Sequence, residues 1–239
     1  MTTNGQRADR VIEVYFNPLN IIGLKNTELF DSVFNPEYLD IYLPINEIAK
    51  PTDDQINKLK NTENLISQQK PIKIDLKTMT QNGQMELKHE NGLMKFSTVE
   101  GVFSGMVTEQ QFRLPLKIQL RAKTDSENGR LTIKYDSGEI ALNFDFKPTT
   151  LFMTDIALGE TRFCKNRGKI PVDEFVDIEW ILGRSIMAVK VNGEIRYIGD
   201  DNSHIKSFNE NPNFSISSAV TVAIYGAAVT VESLQITEI

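Results

Sequence analysis

The spacing of apolar residues changes once along this chain, near Lys70. Before that point the period is helical. Thr52-Asp53-Asp54-Gln55 has the pattern of a capping box, and Ile56, Leu59 and Ile66 then fall on one side of a helix predicted to run to about Ser67. From Lys70 onward the period is two. Ile72, Ile74 and Leu76 alternate with polar residues, Gln81-Asn82-Gly83 turns the chain, and Met85 and Leu87 alternate again. Residues 93–96 and 102–107 read as further strands. In residues 111–123 the apolar Phe112, Leu114, Leu116, Ile118, Leu120 and Ala122 hold every even position. Such alternation predicts one face on a core and one in water. Pro115 places its own end of that strand at an edge or a bulge.

The pattern continues through Leu131, Ile133 and Tyr135, turns at Asp136-Ser137-Gly138, and returns through Ile140, Leu142, Phe144 and Phe146. Residues 149–163 read as irregular. In residues 177–197 three strands follow one another. Ile178, Trp180 and Leu182 share a face, Met187, Val189 and Val191 alternate, and Asn192-Gly193 supplies the two positive φ angles of a type I′ hairpin. A polar loop to Pro212 precedes closing strands at 220–225 and 229–239. Many short strands with turn signals between them, and almost no helix after residue 70, predict an all-β sandwich.

Residues 1–69 differ. Tyr15, Phe16, Phe30, Phe34, Tyr38 and Tyr42 make this stretch dense in aromatics, Asn17-Pro18 ends a short helical pattern at Val11–Phe16, and Pro44 and Pro51 break any long element. Aromatic rings need apolar surface to pack on, so the expected organisation is a partly helical extension over 1–69, lying against a sandwich over 70–239.

Composition narrows the function classes. Hydrophobic residues are 40% and charged residues 24% of 239, which supports an ordinary buried core. The formal net charge of -6 argues against nucleic acid as a direct partner, because phosphate binding needs a basic surface. The single cysteine, Cys164, excludes an internal disulfide. The first ten residues hold no apolar signal core, and no apolar run is long enough for a membrane helix. These features give a cytoplasmic location, without a membrane partner, as the expectation.

The strand ending near Trp180, the short link, the Val-rich strand, the Asn192-Gly193 turn and the closing pair of strands at 220–239 resemble the concanavalin A-like lectin/glucanase superfamily, which includes laminin-G-like modules. That likeness implies a jelly-roll β-sandwich over about 70–239. Residues 116–146, with 177–180, are also similar to effector modules of bacterial transcription regulators. Both likenesses rest on structural motifs and imply a fold more than an activity.

The glucanase branch of the superfamily carries Glu-x-Asp-x-Glu on one strand, which points three carboxylates into a cleft. Here Asp177 and Glu179 share a face, but Glu174 is three residues from Asp177 and out of phase. No Gly-x-Ser-x-Gly elbow and no Walker loop occur, and His89 and His204 are too far apart for a zinc motif. Lys165 and Arg167 could lower the pKa of Cys164, although a lone cysteine is more often inert. Asp200-Asp201-Asn202-Ser203 reads as a solvated turn before it reads as a calcium loop. Trp180 is in phase with Ile178 and Leu182, so it is expected in the core. No catalytic residue, metal ligand or cofactor motif is assigned.

One polar surface stands out. If 111–123, 130–135 and 139–146 pair as neighbours, Lys117, Gln119 and Arg121 line up with Arg130, Thr132 and Lys134, and then with Asn143 and Asp145. Donors and acceptors mixed in this way on one sheet face suit a carbohydrate or another polar small molecule. The leading expectation is a non-catalytic ligand-binding or interaction module, carbohydrate-binding or the sensing part of a bacterial regulator. A glycoside hydrolase or lyase of the same fold is the alternative. A module for protein partners or self-association, docking through its aromatic N-terminal segment, is a third class.

Overall fold

In the computed structural model the described residues are 45–46, 50–98, 102–144, 148–155, 160–199 and 217–239. The chain divides into two compact units, Met1–Asn46 and Glu47–Ile239. The first contains the two-residue strand Ile45–Asn46. Phe16, Phe30, Phe34 and Tyr38, on which the packing of the extension was expected to rest, lie outside the described residues.

The second unit opens with helix α1 (Asp53–Ser67). Its N-terminus is the capping box read from the sequence. The Gln55 backbone N–H donates to Thr52 Oγ1 at 3.2 Å, and the Thr52 N–H donates to Gln55 Oε1 at 3.0 Å. Two donors that the first helical turn cannot use are thereby satisfied. The helix buries Leu59 and Ile66. The chain is therefore divided before the helix, which belongs with the sandwich.

The strands that follow are β1 (Ile72–Lys73), β2 (Thr80–Asn82), β3 (Glu86–Glu90), β4 (Leu93–Ser97), β5 (Phe103–Arg113), β6 (Leu116–Thr124), β7 (Arg130–Tyr135) and β8 (Gly138–Leu142). Then come β9 (Leu151–Asp155), β10 (Glu160–Cys164), β11 (Val176–Leu182), β12 (Met187–Val191), β13 (Glu194–Gly199), β14 (Ser217–Tyr225) and β15 (Ala228–Glu238). Within this unit the first sheet runs β10-β9-β8-β7-β14-β5-β2, and the second runs β13-β12-β11-β6-β15-β4-β3. β1 pairs with β15 at one end of the second sheet. All these ladders are antiparallel.

The apolar faces of the two sheets meet in one core, in which Trp180, Tyr135, Phe96, Phe112, Met94 and Met106 are fully buried. Asn192 and Gly193, with φ of 50° and 77°, form the expected hairpin turn between Val191 and Glu194.

Two sequence expectations change here. The run 111–123 is not one strand. It breaks at Leu114–Pro115, leaving β5 in the first sheet and β6 in the second. Proline has no N–H for a ladder, so the chain crosses between sheets at that point. The even-odd alternation survives the crossing because both sheets turn their inner faces to the same core. Residues 149–163 are not irregular either. β9 and β10 form a hairpin there, with Leu151 opposite Cys164 and Phe152 opposite Phe163. Leu151 and Met153 face the core. Phe152 points the other way and stacks on Phe144, with ring centroids 4.8 Å apart. Apolar residues on both faces erase the period of two that would have marked the strand.

Helix α1 lies on the outward face of the second sheet. Leu59 and Ile66 join Ile181, Ile186, Ala188 and Ile198 in a separate apolar cluster, and Lys190 is ion-paired with Glu63 of the helix. This roof covers the β11-β12-β13 end of the face.

Candidate functional site

Of the eight residues expected to form one polar face, the seven described ones do not assemble. β6 pairs with β11 and β15, never with β7. Lys117, Gln119 and Arg121 therefore stand on the second sheet, while Arg130, Thr132 and Lys134 stand on the first. The first-sheet residues are engaged within the fold. Arg130 lies among the rings of Phe103, Phe144 and Tyr225, 5.1 to 5.6 Å from their centroids. Lys134 sits 2.9 Å from Glu139 and 4.4 Å from the Phe103 ring centre. Thr132 is buried.

Asn143 is also fully buried. Its Oδ1 accepts the Ile170 N–H at 2.9 Å, and its Nδ2 donates to the carbonyls of Ile170 and Ser126 at 3.3 and 3.4 Å. The expectation that Thr132 and Asn143 are exposed is thus overturned. A polar residue out of phase with its strand is buried when its hydrogen bonds are met inside. Asp145 lies outside the described residues.

The second sheet builds a different face around the three residues that remain. Register places Asp177, Arg121 and Ser233 side by side on β11, β6 and β15. The next row is Lys190, Glu179, Gln119, Gln235 and Lys73, across five strands. Beyond it lies Lys117, between Ile181 and Thr237. Side chains directly opposite in antiparallel strands project from the same surface, so each row presents a line of polar groups.

A depression of about 240 Å³ lies in this face, lined by Gln119, Arg121, Asp177, Glu179, Ser233 and Gln235. The Asn192-Gly193 turn stands at its rim. Among the described residues, the side chains of Gln119, Glu179, Ser233 and Gln235 have no hydrogen-bond or ion-pair partner. The sequence had already placed Asp177 and Glu179 on one face. Ser233 and Gln235 were missed, although their phase against Leu234 and Ile236 was the available signal.

Arg121 is the fixed charge of the site. Its Nη1 reaches both Asp177 carboxylate oxygens at 3.1 Å, and its Nε donates to Glu232. The hydrogen bond to Asp177, then that to Glu232, holds the guanidinium above its ordinary pKa. Its flat face lies 5.6 Å from the Phe175 ring centre, and Lys123 approaches the same ring at 5.4 Å. Glu174 sits in the bend before β11 and contributes nothing to the strand face that carries Asp177 and Glu179.

Other candidate chemistry finds no support at these positions. Cys164 ends β10 and is buried. Burial pushes its thiol up to about 12, outweighing the nearby Arg162 and Arg167. At pH 8 the thiolate is therefore scarce, and a maleimide should label Cys164 only once denaturant opens the fold. Rapid stoichiometric labelling of the native protein would contradict that burial. Among the described residues no group of three or more acidic, His or Cys side chains is placed to hold a metal ion, and no helix is long and apolar enough to cross a membrane. Asp200–Ser203 and His204 lie outside the described residues.

The architecture is a jelly-roll β-sandwich of the concanavalin A-like kind, with a polar depression on the outward face of its second sheet. No family model matches the chain, and no curated protein matches it in sequence. Solved structures do match in fold. A Bacillus subtilis protein of unknown function with a galectin-like fold superposes with TM-score 0.52 at 8% identity, over 68% of this chain and 90% of that one. The Crh5 transglycosylase, solved with NAG, gives 0.51 at 10% identity, over 70% and 83%. The carbohydrate-binding module CBM66 from Bacillus subtilis gives 0.50 at 8% identity, over 67% and 97%.

Proposed function

We propose that this chain is a non-catalytic carbohydrate-binding module, with its ligand lying across the outward face of the second sheet. The observation that carries the reading is the row Glu179, Gln119 and Gln235, with Ser233 beside it, whose hydrogen-bonding capacity is unspent among the described residues. Sugar hydroxyls donate and accept at once. Two amides, a carboxylate and a hydroxyl on one surface match that chemistry. Helix α1 walls the face on one side, so a ligand has a defined place to lie. The fold's appearance in a carbohydrate-binding module agrees with this reading.

Glycoside hydrolysis by this fold needs two carboxylates flanking the scissile bond. Asp177 is held at both oxygens by Arg121, and Glu174 is off the strand face, which leaves Glu179 alone. The same face therefore favours binding over turnover.

Titration followed by NMR, with oligosaccharides chosen from a glycan array, tests the proposal. Gln119→Ala and Gln235→Ala should each weaken binding about tenfold, the size of one lost hydrogen bond, with the melting temperature unchanged. Perturbations clustered on the first sheet instead would overturn the site. Release of reducing sugar that Glu179→Gln abolishes would overturn the non-catalytic assignment.

A further inference from the structure

The depression does not end at β15. Ser233 also lines a second cleft, of about 430 Å³, where the β1 strand and the chain after it face the turn between β3 and β4. The residues that set its chemistry are Lys73, Asp75, Lys77, His89, Asn91 and Glu232.

The charges in this cleft are not balanced in use. Asp75 Oδ1 accepts the Lys77 backbone N–H at 3.0 Å, and so fastens the turn that shapes one wall. Glu232 is taken by Arg121. Glu232 is thus committed to Arg121, while Asp75 uses one carboxylate oxygen on the turn. Among the described residues, the Lys73 and Lys77 ammonium groups and the His89 ring have no ion pair and no side-chain hydrogen bond. The Asn91 amide adds a further donor. Lys73 also stands directly opposite Gln235, so one residue belongs to the end of the sugar row and to the cleft.

An open cleft that presents two lysine ammonium groups, a histidine ring and an asparagine amide, with one of its two carboxylates already paired to Arg121, offers its donors to a negative ligand group. This holds even though the chain as a whole carries a net charge of -6, which would repel an anion from most of its surface.

We infer that the cleft is an anionic subsite, so that the ligand of this module is an acidic oligosaccharide, with its neutral rings on the β11-β6-β15 face and a carboxylate or sulfate group between Lys73 and Lys77. The inference rests on the proposed carbohydrate-binding reading and adds the substrate class to it. The two cations that would hold the anion come from the end of β1 and from the turn that Asp75 fastens four residues on. A sugar seated on Gln235 has its next ring at the mouth of the cleft, because Lys73 is the strand neighbour of that glutamine.

The test is calorimetric titration of the whole chain with three oligosaccharides of equal length: neutral, uronate-bearing and sulfated. The acidic ligands should bind about tenfold more tightly than the neutral one, and the preference should shrink as salt rises from low to physiological strength. The relative strength of the uronate and the sulfated ligand identifies the anion. The Lys73→Gln/Lys77→Gln double variant should bind all three alike, with an unchanged melting temperature, since both lysines lack partners to lose. Equal binding of neutral and acidic ligands by the wild type would overturn the anionic subsite while the carbohydrate-binding reading stands. A preference for acid that persists in the double variant would overturn the cleft as its location. Failure of the chain to bind any of the three would remove the carbohydrate-binding reading itself.

Discussion

Replacing Trp180 by alanine should cost about 3–5 kcal/mol, a large part of the stability of a domain this size. The indole sits fully buried on β11, with Ile118 and Val189 beside it on the flanking strands. Removing it opens a cavity that two sheets, each fixed by its ladders, can close only in part. Its Nε1 is buried without a hydrogen-bond partner among the described residues. Phenylalanine at this position fills much of the same volume and removes that unmet donor, worth about 1–3 kcal/mol of lost hydration. Trp180→Phe should therefore cost far less than Trp180→Ala. Because the chain has one tryptophan, the comparison needs urea denaturation followed by far-ultraviolet circular dichroism rather than by fluorescence. Equal losses for the two variants would mean that the indole N–H meets a buried water.

Asn143→Asp is the second large effect, about 3–5 kcal/mol at neutral pH. The side chain ties the residues around Ile170 to the turn at Ser126, and the Asn143 backbone N–H donates to the Gly168 carbonyl at 3.0 Å. Its φ is 48°, a conformation that asparagine and aspartate both tolerate, so the backbone does not distinguish them. The difference is the Nδ2 group. A carboxylate oxygen in its place faces two carbonyl oxygens with no proton to offer. Burial and those carbonyls disfavour the ionised form, which raises the introduced carboxyl's pKa in the folded state above its unfolded value. The variant is then closest to wild type below the unfolded carboxyl pKa and loses stability as pH rises through the folded value. Melting temperatures of variant and wild type at pH 4 and pH 7 check the sign. A gap between them that does not narrow at pH 4 would show that lost packing, and not charge, is responsible.

These two residues also mark what a sequence can carry. Trp180 was legible as core because Ile178 and Leu182 share its phase. The helix after Thr52 and the turn at Asn192-Gly193 were legible because their local chemistry permits little else. Asn143 was not, since an out-of-phase polar residue looks the same whether it meets water or a ring of buried backbone groups. The site was half legible. Lys117, Gln119 and Arg121 share one face of β6 as their phase implies, but their neighbours are not the next strands along the chain. The actual neighbours come from 56 residues away, at Asp177, and 111 residues away, at Glu232. No local period encodes such pairing, and the crossing at Pro115 hid it behind unbroken alternation.

The consecutive strands β14 and β15 enter different sheets: β14 lies between β7 and β5, and β15 between β6 and β4. During synthesis the first sheet cannot close before β14, which ends at Tyr225, has left the ribosome, nor the second before β15, which ends at Glu238, has done so. Before then the first sheet is two fragments, β10 to β7 and β5 with β2, and the second is likewise split into β13 to β6 and β4 with β3. Each fragment carries an open strand edge that invites pairing with other chains. Until β14 and β15 have both emerged, those edges depend on protection from other chains.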